Sequence, residues 1–303
     1  MLNYATAEEQ KALGSEISQA FDSGPEGRTA LAKKITKELQ NDVEQRDLSG
    51  FIFDKEFIPE GQEVEWKLKS KMKVYWHEPG SYAPRTGVSQ RVFTLTTDML
   101  SCHPEFEITQ LRAGRYGTVA DQMSDAREAM LGAVNARIWN TLTGSITSSD
   151  PNYANSAGVI SKAALDAAIT WVNDQPGGGA RAIVARQHIL DDILDFTVGA
   201  NGDTGVFSDA IKDQIIKTGT FGGVYRGVPL IGLKQWQDAF GKNTISNTDV
   251  MVVGGGSGKF VVRMDYDSMD DIDINTLVWH MHVWTRVGVA VFFKNRNYRI
   301  SLV

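Results

Sequence analysis

The chain has 303 residues, more than one ordinary domain and fewer than three, so one or two cores are expected. Hydrophobic residues make up 42% and charged residues 22%, an ordinary globular balance that excludes wholesale disorder. The formal charge of -6 argues against binding nucleic acid through the overall field, although it leaves room for one basic face.

The start, Met1-Leu2-Asn3-Tyr4, lacks a basic segment followed by an apolar run, and no stretch reaches the ~18 consecutive apolar residues of a membrane span. A soluble protein without a classical secretion signal is expected. Thr6 to Ala20 and Thr29 to Val43 are rich in Glu, Lys, Gln and Ala and read as helices, broken at Ser23-Gly24-Pro25. Leu31, Ile35, Leu39 and Val43 fall at intervals of four and form one narrow apolar stripe. Residues 1–50 therefore read as an arm that needs a neighbour to pack on.

Residues 62–76 alternate with period two. Val64, Trp66, Leu68, Met72, Val74 and Trp76 fall on one face; Glu63, Glu65, Lys67, Lys69, Lys71 and Lys73 fall on the other. This is a strand with one dry and one wet face, and at ~3.3 Å per residue it would reach roughly 45 to 50 Å. His77 to Ser89 holds Pro79, Gly80, Pro84 and Gly87, a turn-rich tip, and Gln90 to Thr97 resumes the strand pattern. Such a long hairpin is marginal alone in water and is expected to lie on another surface. The lysine row would meet phosphates or carboxylates, a neighbouring subunit's acidic face being the economical partner; protection of a strand edge by lysine is the plainer reading.

Cys102 is the single cysteine, which rules out an intramolecular disulfide and fits a reducing compartment; between Ser101 and His103-Pro104 it reads as a packing residue. Val119 to Leu142 reads as a helix of about 24 residues and roughly 36 Å. Thr143 to Ala157 reads as a polar linker. A compact α/β unit follows: helix Ser161 to Asn173, a glycine turn at Pro176 to Gly179, strand Arg181 to Ala185, helices Gln187 to Phe196 and Ser208 to Lys217, and strand and turn from Thr220 to Leu233. Val250 to Val253 and Phe260 to Arg263 flank a further glycine turn, and Thr276 to Val303 is strand-like with a turn at Lys294 to Asn297.

Four constellations invite chemistry. Gly254-Gly255-Gly256-Ser257-Gly258-Lys259 misses the phosphate-loop pattern, because Val253 and Phe260 stand where Gly and Ser or Thr are required; a hairpin loop is expected instead. Asp265, Asp267, Asp270, Asp271 and Asp273 miss the EF-hand glycine at position six and read as a solvated acidic loop. His280 and His282 share a strand face without a third ligand at fixed spacing, and His188 opens a helix without a local nucleophile or carboxylate. No catalytic residue, cofactor or metal is expected.

The order of parts resembles the HK97-like capsid fold of tailed-bacteriophage major capsid proteins, an α+β architecture. Gly219 to Ile231 is similar to that family's Gly-rich strand pair, and Trp284 to Val289 to its closing strand. The resemblance implies an N-terminal arm (1–50), an extended hairpin or E-loop (51–100), a peripheral P-domain with its spine helix (101–156 and 263–303) and an axial A-domain (157–262). It further implies self-assembly into pentamers and hexamers of a shell, a separate scaffolding protein and a portal. Packaged double-stranded DNA would be contacted non-specifically, with no membrane involved, in a virion assembled in the host cytoplasm. Intersubunit contacts are then expected from Leu31, Ile35, Leu39, Trp66, Leu68, Lys69, Lys71, Val74 and Trp76. An encapsulin-like nanocompartment is the rival within the fold; an α/β enzyme with a pocket near the Gly254 loop is the rival outside it.

Overall fold

The computed structural model describes residues 7–46, 48–59, 62, 65–69, 90–109, 117–194, 224–237, 241–273 and 275–303. Helices α1 (Ala7–Asp22) and α2 (Gly24–Arg46) form the start, joined where Gly24 takes a φ of +75° that only glycine adopts freely. One helical turn, α3 (Ser49–Ile52), leads into strands β1 (Asp54–Phe57), β2 (Glu65–Lys69), β3 (Gln90–Thr94), β4 (Asp98–Cys102) and β5 (Glu105–Glu107). Helix α4 (Gly117–Gly144) follows, then β6 (Tyr153–Asn155), α5 (Lys162–Asp174), β7 (Ala180–Arg186) and α6 (Gln187–Leu194). The remainder is β8 (Val224–Tyr225), β9 (Val228–Leu233), β10 (Asp249–Gly254), β11 (Gly258–Asp273), β12 (Val278–Val291) and β13 (Asn297–Ser301). The expected helix at 208–217 and the hairpin tip at 77–89 lie outside the described residues.

Two sheets carry the architecture. The first runs β1-β11-β12-β4, with β5 extending the outer edge of β12; the second runs β6-β13-β10-β7-β9-β8. The middles of strands β7 (Ala182 to Ala185) and β10 (Val250 to Val253) are continuously apolar because both of their faces are covered. Ile183, Ala185, Val250 and Val252 meet α5 and α6, whereas Ala182, Val184, Met251 and Val253 meet Ile138, Trp139 and Leu142 of α4. The second of these cores also takes in Phe260, Val262 and Val289 of the first sheet, so α4 is wedged where the two sheets meet. Ser161 caps α5, its hydroxyl accepting a hydrogen bond from the Ala164 amide at 3.2 Å.

Four expectations are corrected. The glycine turn 254–259 does not close a hairpin: β10 pairs with β7 and β13, β11 pairs with β1 and β12, and the turn carries the chain from one sheet to the other. The acidic run lies within strand β11, where pairing with β12 outweighs the low strand propensity of aspartate. The polar stretch 143–157 contains edge strand β6, parallel to β13, held by buried Asn152 donating at 2.8 Å to the carbonyls of Lys294 and Asn297. Finally, the expected boundary at 262/263 falls inside β11, and β13 joins the second sheet beside β10. In each case the deciding bonds come from residues distant in sequence, so local pattern carried no sign of them.

Candidate interaction surfaces

Leu31, Ile35 and Leu39 project from α2, and the structure gives their stripe a partner within the chain. Leu31 and Leu39 are buried and Ile35 half-buried, in a core built from Ile17 of α1, Met123, Ala126 and Met130 of α4, Phe106 and Ile108 following β4, and Trp279, Met281 and Val283 of β12. The expectation that this stripe waits for a neighbour is therefore corrected: the alternating apolar face of β12 supplies the cover, which the arm's own sequence could not announce.

Asp270 of β11 anchors the arm. Its carboxylate, 7% exposed, accepts hydrogen bonds from the Thr29 hydroxyl at 2.9 Å and the Trp279 indole at 3.3 Å, with the Arg28 guanidinium 4.0 Å away. Replacing Asp270 by alanine leaves the buried Trp279 indole and the half-buried Thr29 hydroxyl without this acceptor and is expected to cost about 1–3 kcal/mol. Limited proteolysis should show earlier cleavage between α1 and α2 in the variant, with Asp270→Asn intermediate.

The second surface is the base of the hairpin β2-β3. Trp66 stands opposite Phe93 in the antiparallel pairing, and both rings pack on Phe292, with centroids at 5.0 and 5.5 Å. The Trp66 indole donates to Glu56 at 3.2 Å, and the Lys259 ammonium sits 5.3 Å above its ring while pairing with Glu56. That ammonium, helped by the indole, holds the Glu56 carboxyl below the usual carboxylate range against the opposing effect of burial. The hairpin thus leaves the body from an aromatic seat. The side chains of Leu68 and Lys69 lie outside the described residues, as do Lys71, Val74 and Trp76 altogether.

The places where chemistry was sought are occupied by structure. Lys259 is committed to Glu56, and the Gly254 turn is strapped by Arg296, whose guanidinium donates to the carbonyls of Gly256 at 3.1 Å and Pro176 at 3.0 Å. The Gly254 and Gly255 amides are spent as well, donating to the Asn297 side-chain oxygen at 3.3 Å and the Gly179 carbonyl at 3.0 Å, so they are not available to cradle a phosphate. Cys102 is half-buried against the arm core, and burial pushes its thiol up, away from the reactive thiolate. His188 is exposed on α6. Among the described residues no three His, Cys, Asp or Glu side chains converge to hold a metal ion. An open cleft of about 420 Å³ is lined by Asp125, Glu128, Ala129, Gln235, Trp236 and Gln237, none of them from the Gly254 turn.

Comparison with known proteins follows the same direction. Residues 29–303 match the family described as SPbeta prophage-derived putative capsid protein YonB. No curated protein matches the chain. Among solved structures, one from Microbacterium phage Oxtober96 is similar with a TM-score of 0.60 at 10% identity, covering 84% of this chain and 90% of that one. The virus-like particle from Pyrococcus furiosus gives a TM-score of 0.57 at 12% identity, covering 89% and 98%. The SrpI encapsulin from Synechococcus elongatus PCC 7942 gives 0.51 at 13% identity, covering 84% and 86%.

Proposed function

The chain belongs to the capsid-protein family typified by YonB of the SPbeta prophage, and from that membership we propose that its copies close into the icosahedral shell that encloses a phage genome. It is a structural protein with the HK97-like capsid fold. The observation that carries the reading is the family match, which runs from within α2 to the last strand. The likeness to an encapsulin supports a cargo-enclosing compartment as the second reading.

In the proposed shell, pentamers and hexamers gather the second sheet with α5 and α6 around their axes, and the hairpin that starts from β2 and β3 reaches onto the adjoining subunit. A separate scaffolding protein and a portal take part, DNA is contained without base recognition, assembly proceeds in the host cytoplasm, and no reaction is catalysed. With Leu31 and Leu39 covered inside the chain and Trp66 seated on Phe292, the intersubunit contacts fall chiefly to the rest of the hairpin: Leu68, Lys69, Lys71, Val74 and Trp76. An apolar face that finds its cover only on association stabilises the assembly and not the subunit.

Two measurements test this. Negative-stain electron microscopy with light scattering, with and without co-expressed neighbouring genes, should give closed shells or capsomer rings. A uniform small oligomer in every combination overturns the reading, and shells loaded with a neighbouring enzyme favour the compartment. The double substitution Val74→Ser with Trp76→Ser should raise the concentration needed for assembly at least about tenfold, equivalent to ~1.4 kcal/mol, while leaving the subunit's unfolding midpoint unchanged.

A further inference from the structure

Three of the chain's five histidines lie together at the outer edge of the first sheet. His103, exposed in the corner between β4 and β5, stacks on His282 of β12 with ring centroids 3.6 Å apart and planes 35° apart. Trp284 meets His282 edge-on at 4.8 Å. The Nε2 of His282 is shut off from solvent and has no hydrogen-bond partner among the described residues. A proton placed there would be neither hydrated nor bonded.

The charged surroundings are unevenly distributed. His280, two residues along the same face, has its Nδ1 3.4 Å from Glu105 of β5. Across the ribbon, Asp267, Met269 and Asp271 of β11 stand opposite Trp284, His282 and His280. Glu107 stands opposite Val278, and Arg286 continues β12 beyond Trp284. Glu105 and Asp271 therefore adjoin His280 and Asp267 stands opposite Trp284, while His282 itself is opposite a thioether and in ring contact with an indole and a second imidazole.

We propose that the His103–His282 stack is a proton-sensitive latch, which holds the β4–β5 corner against β12 at neutral pH and releases it on acidification. Two neutral imidazoles stack favourably; one proton puts charge in a desolvated place, and a second sets two like charges within 4 Å. The corner matters beyond itself, because Leu100, Cys102, Phe106 and Ile108 on and beside β4 and β5 face the arm core. Releasing it loosens the seat of α1 and α2. Burial first and His103 second hold the His282 imidazole below its ordinary value. The folded state thus binds fewer protons than the unfolded chain, so the latch is complete above about pH 6.5 and weakens as the pH falls through that value.

Hydrogen exchange on the full-length chain at pH 7.5 and 5.5, corrected for intrinsic exchange and with light scattering confirming one assembly state, tests the latch. Opening of residues 98–107 should rise about tenfold at the lower pH. His282→Phe keeps a ring in the stack without a titrating nitrogen and should abolish the rise; should that variant fold poorly, His103→Phe should still cut it at least threefold. His280→Gln should retain the full response. A wild-type chain without the rise, a rise undiminished in both phenylalanine variants, or a response lost in His280→Gln would each overturn the proposal.

Discussion

Replacing Trp279 by alanine is expected to lower the unfolding free energy by about 3–5 kcal/mol, the range for truncating a fully buried aromatic side chain. Trp279 has no exposed surface and is where the arm, the sheet edge and the acidic strand meet. Phe21 of α1 packs edge-on against it at 5.5 Å, Phe106 of β5 lies over it at 5.2 Å, and its indole donates to Asp270. Truncation opens a cavity that three elements would have to collapse together to fill, and it removes one of the buried donors satisfying the Asp270 carboxylate. Denaturant unfolding followed by circular dichroism measures the loss. Trp279→Phe keeps most of the ring contact and gives up the hydrogen bond, so a cost of about 1–2 kcal/mol separates the bond from the packing. A loss under 1 kcal/mol for the alanine variant would show that the arm contributes little to subunit stability.

Gly258→Ala should be nearly as damaging, for the opposite reason. A Cβ there would lie 2.2 Å from the Ala290 carbonyl oxygen and 2.7 Å from the Phe53 ring, and the carbonyl belongs to the β11–β12 ladder, which cannot give way locally. Gly254, at the other end of the turn, would place its Cβ 2.3 Å from the Arg296 carbonyl oxygen. Either alanine is expected to cost about 3 kcal/mol, at the upper end of overpacking, and to cut the soluble yield. Gly255→Ala provides the control, since its Cβ would meet nothing nearer than 3.9 Å and should change the unfolding midpoint little. These glycines serve neither a phosphate nor a hairpin. They let the backbone pass between two sheets at close quarters.

Local periodicity reported what local periodicity can. The break at Gly24 between two helices, the long helix ending near Gly144, the Ser161-capped helix and the alternating strands of β12 were all legible, because each rests on a spacing of 3.6 or 2 within one segment. Of the contacts expected between subunits, Trp66 was legible as one end of an apolar face, but its seat on Phe292 and its bond to Glu56 were not. The His103–His282 stack was invisible from the His280-x-His282 spacing, since His103 enters from the corner between β4 and β5.

By itself the sequence determined the kinds and order of the strongly periodic elements and, through that order, the capsid-like architecture. Tertiary structure alone decided the partners: that the arm's stripe is covered by β12, that the acidic run pairs as a strand, that the Gly254 turn changes sheets, and that 143–157 contributes an edge strand. The physical reason is the same each time. A residue's own period says which face is apolar, whereas the free energy of burying that face belongs to whichever distant residues cover it.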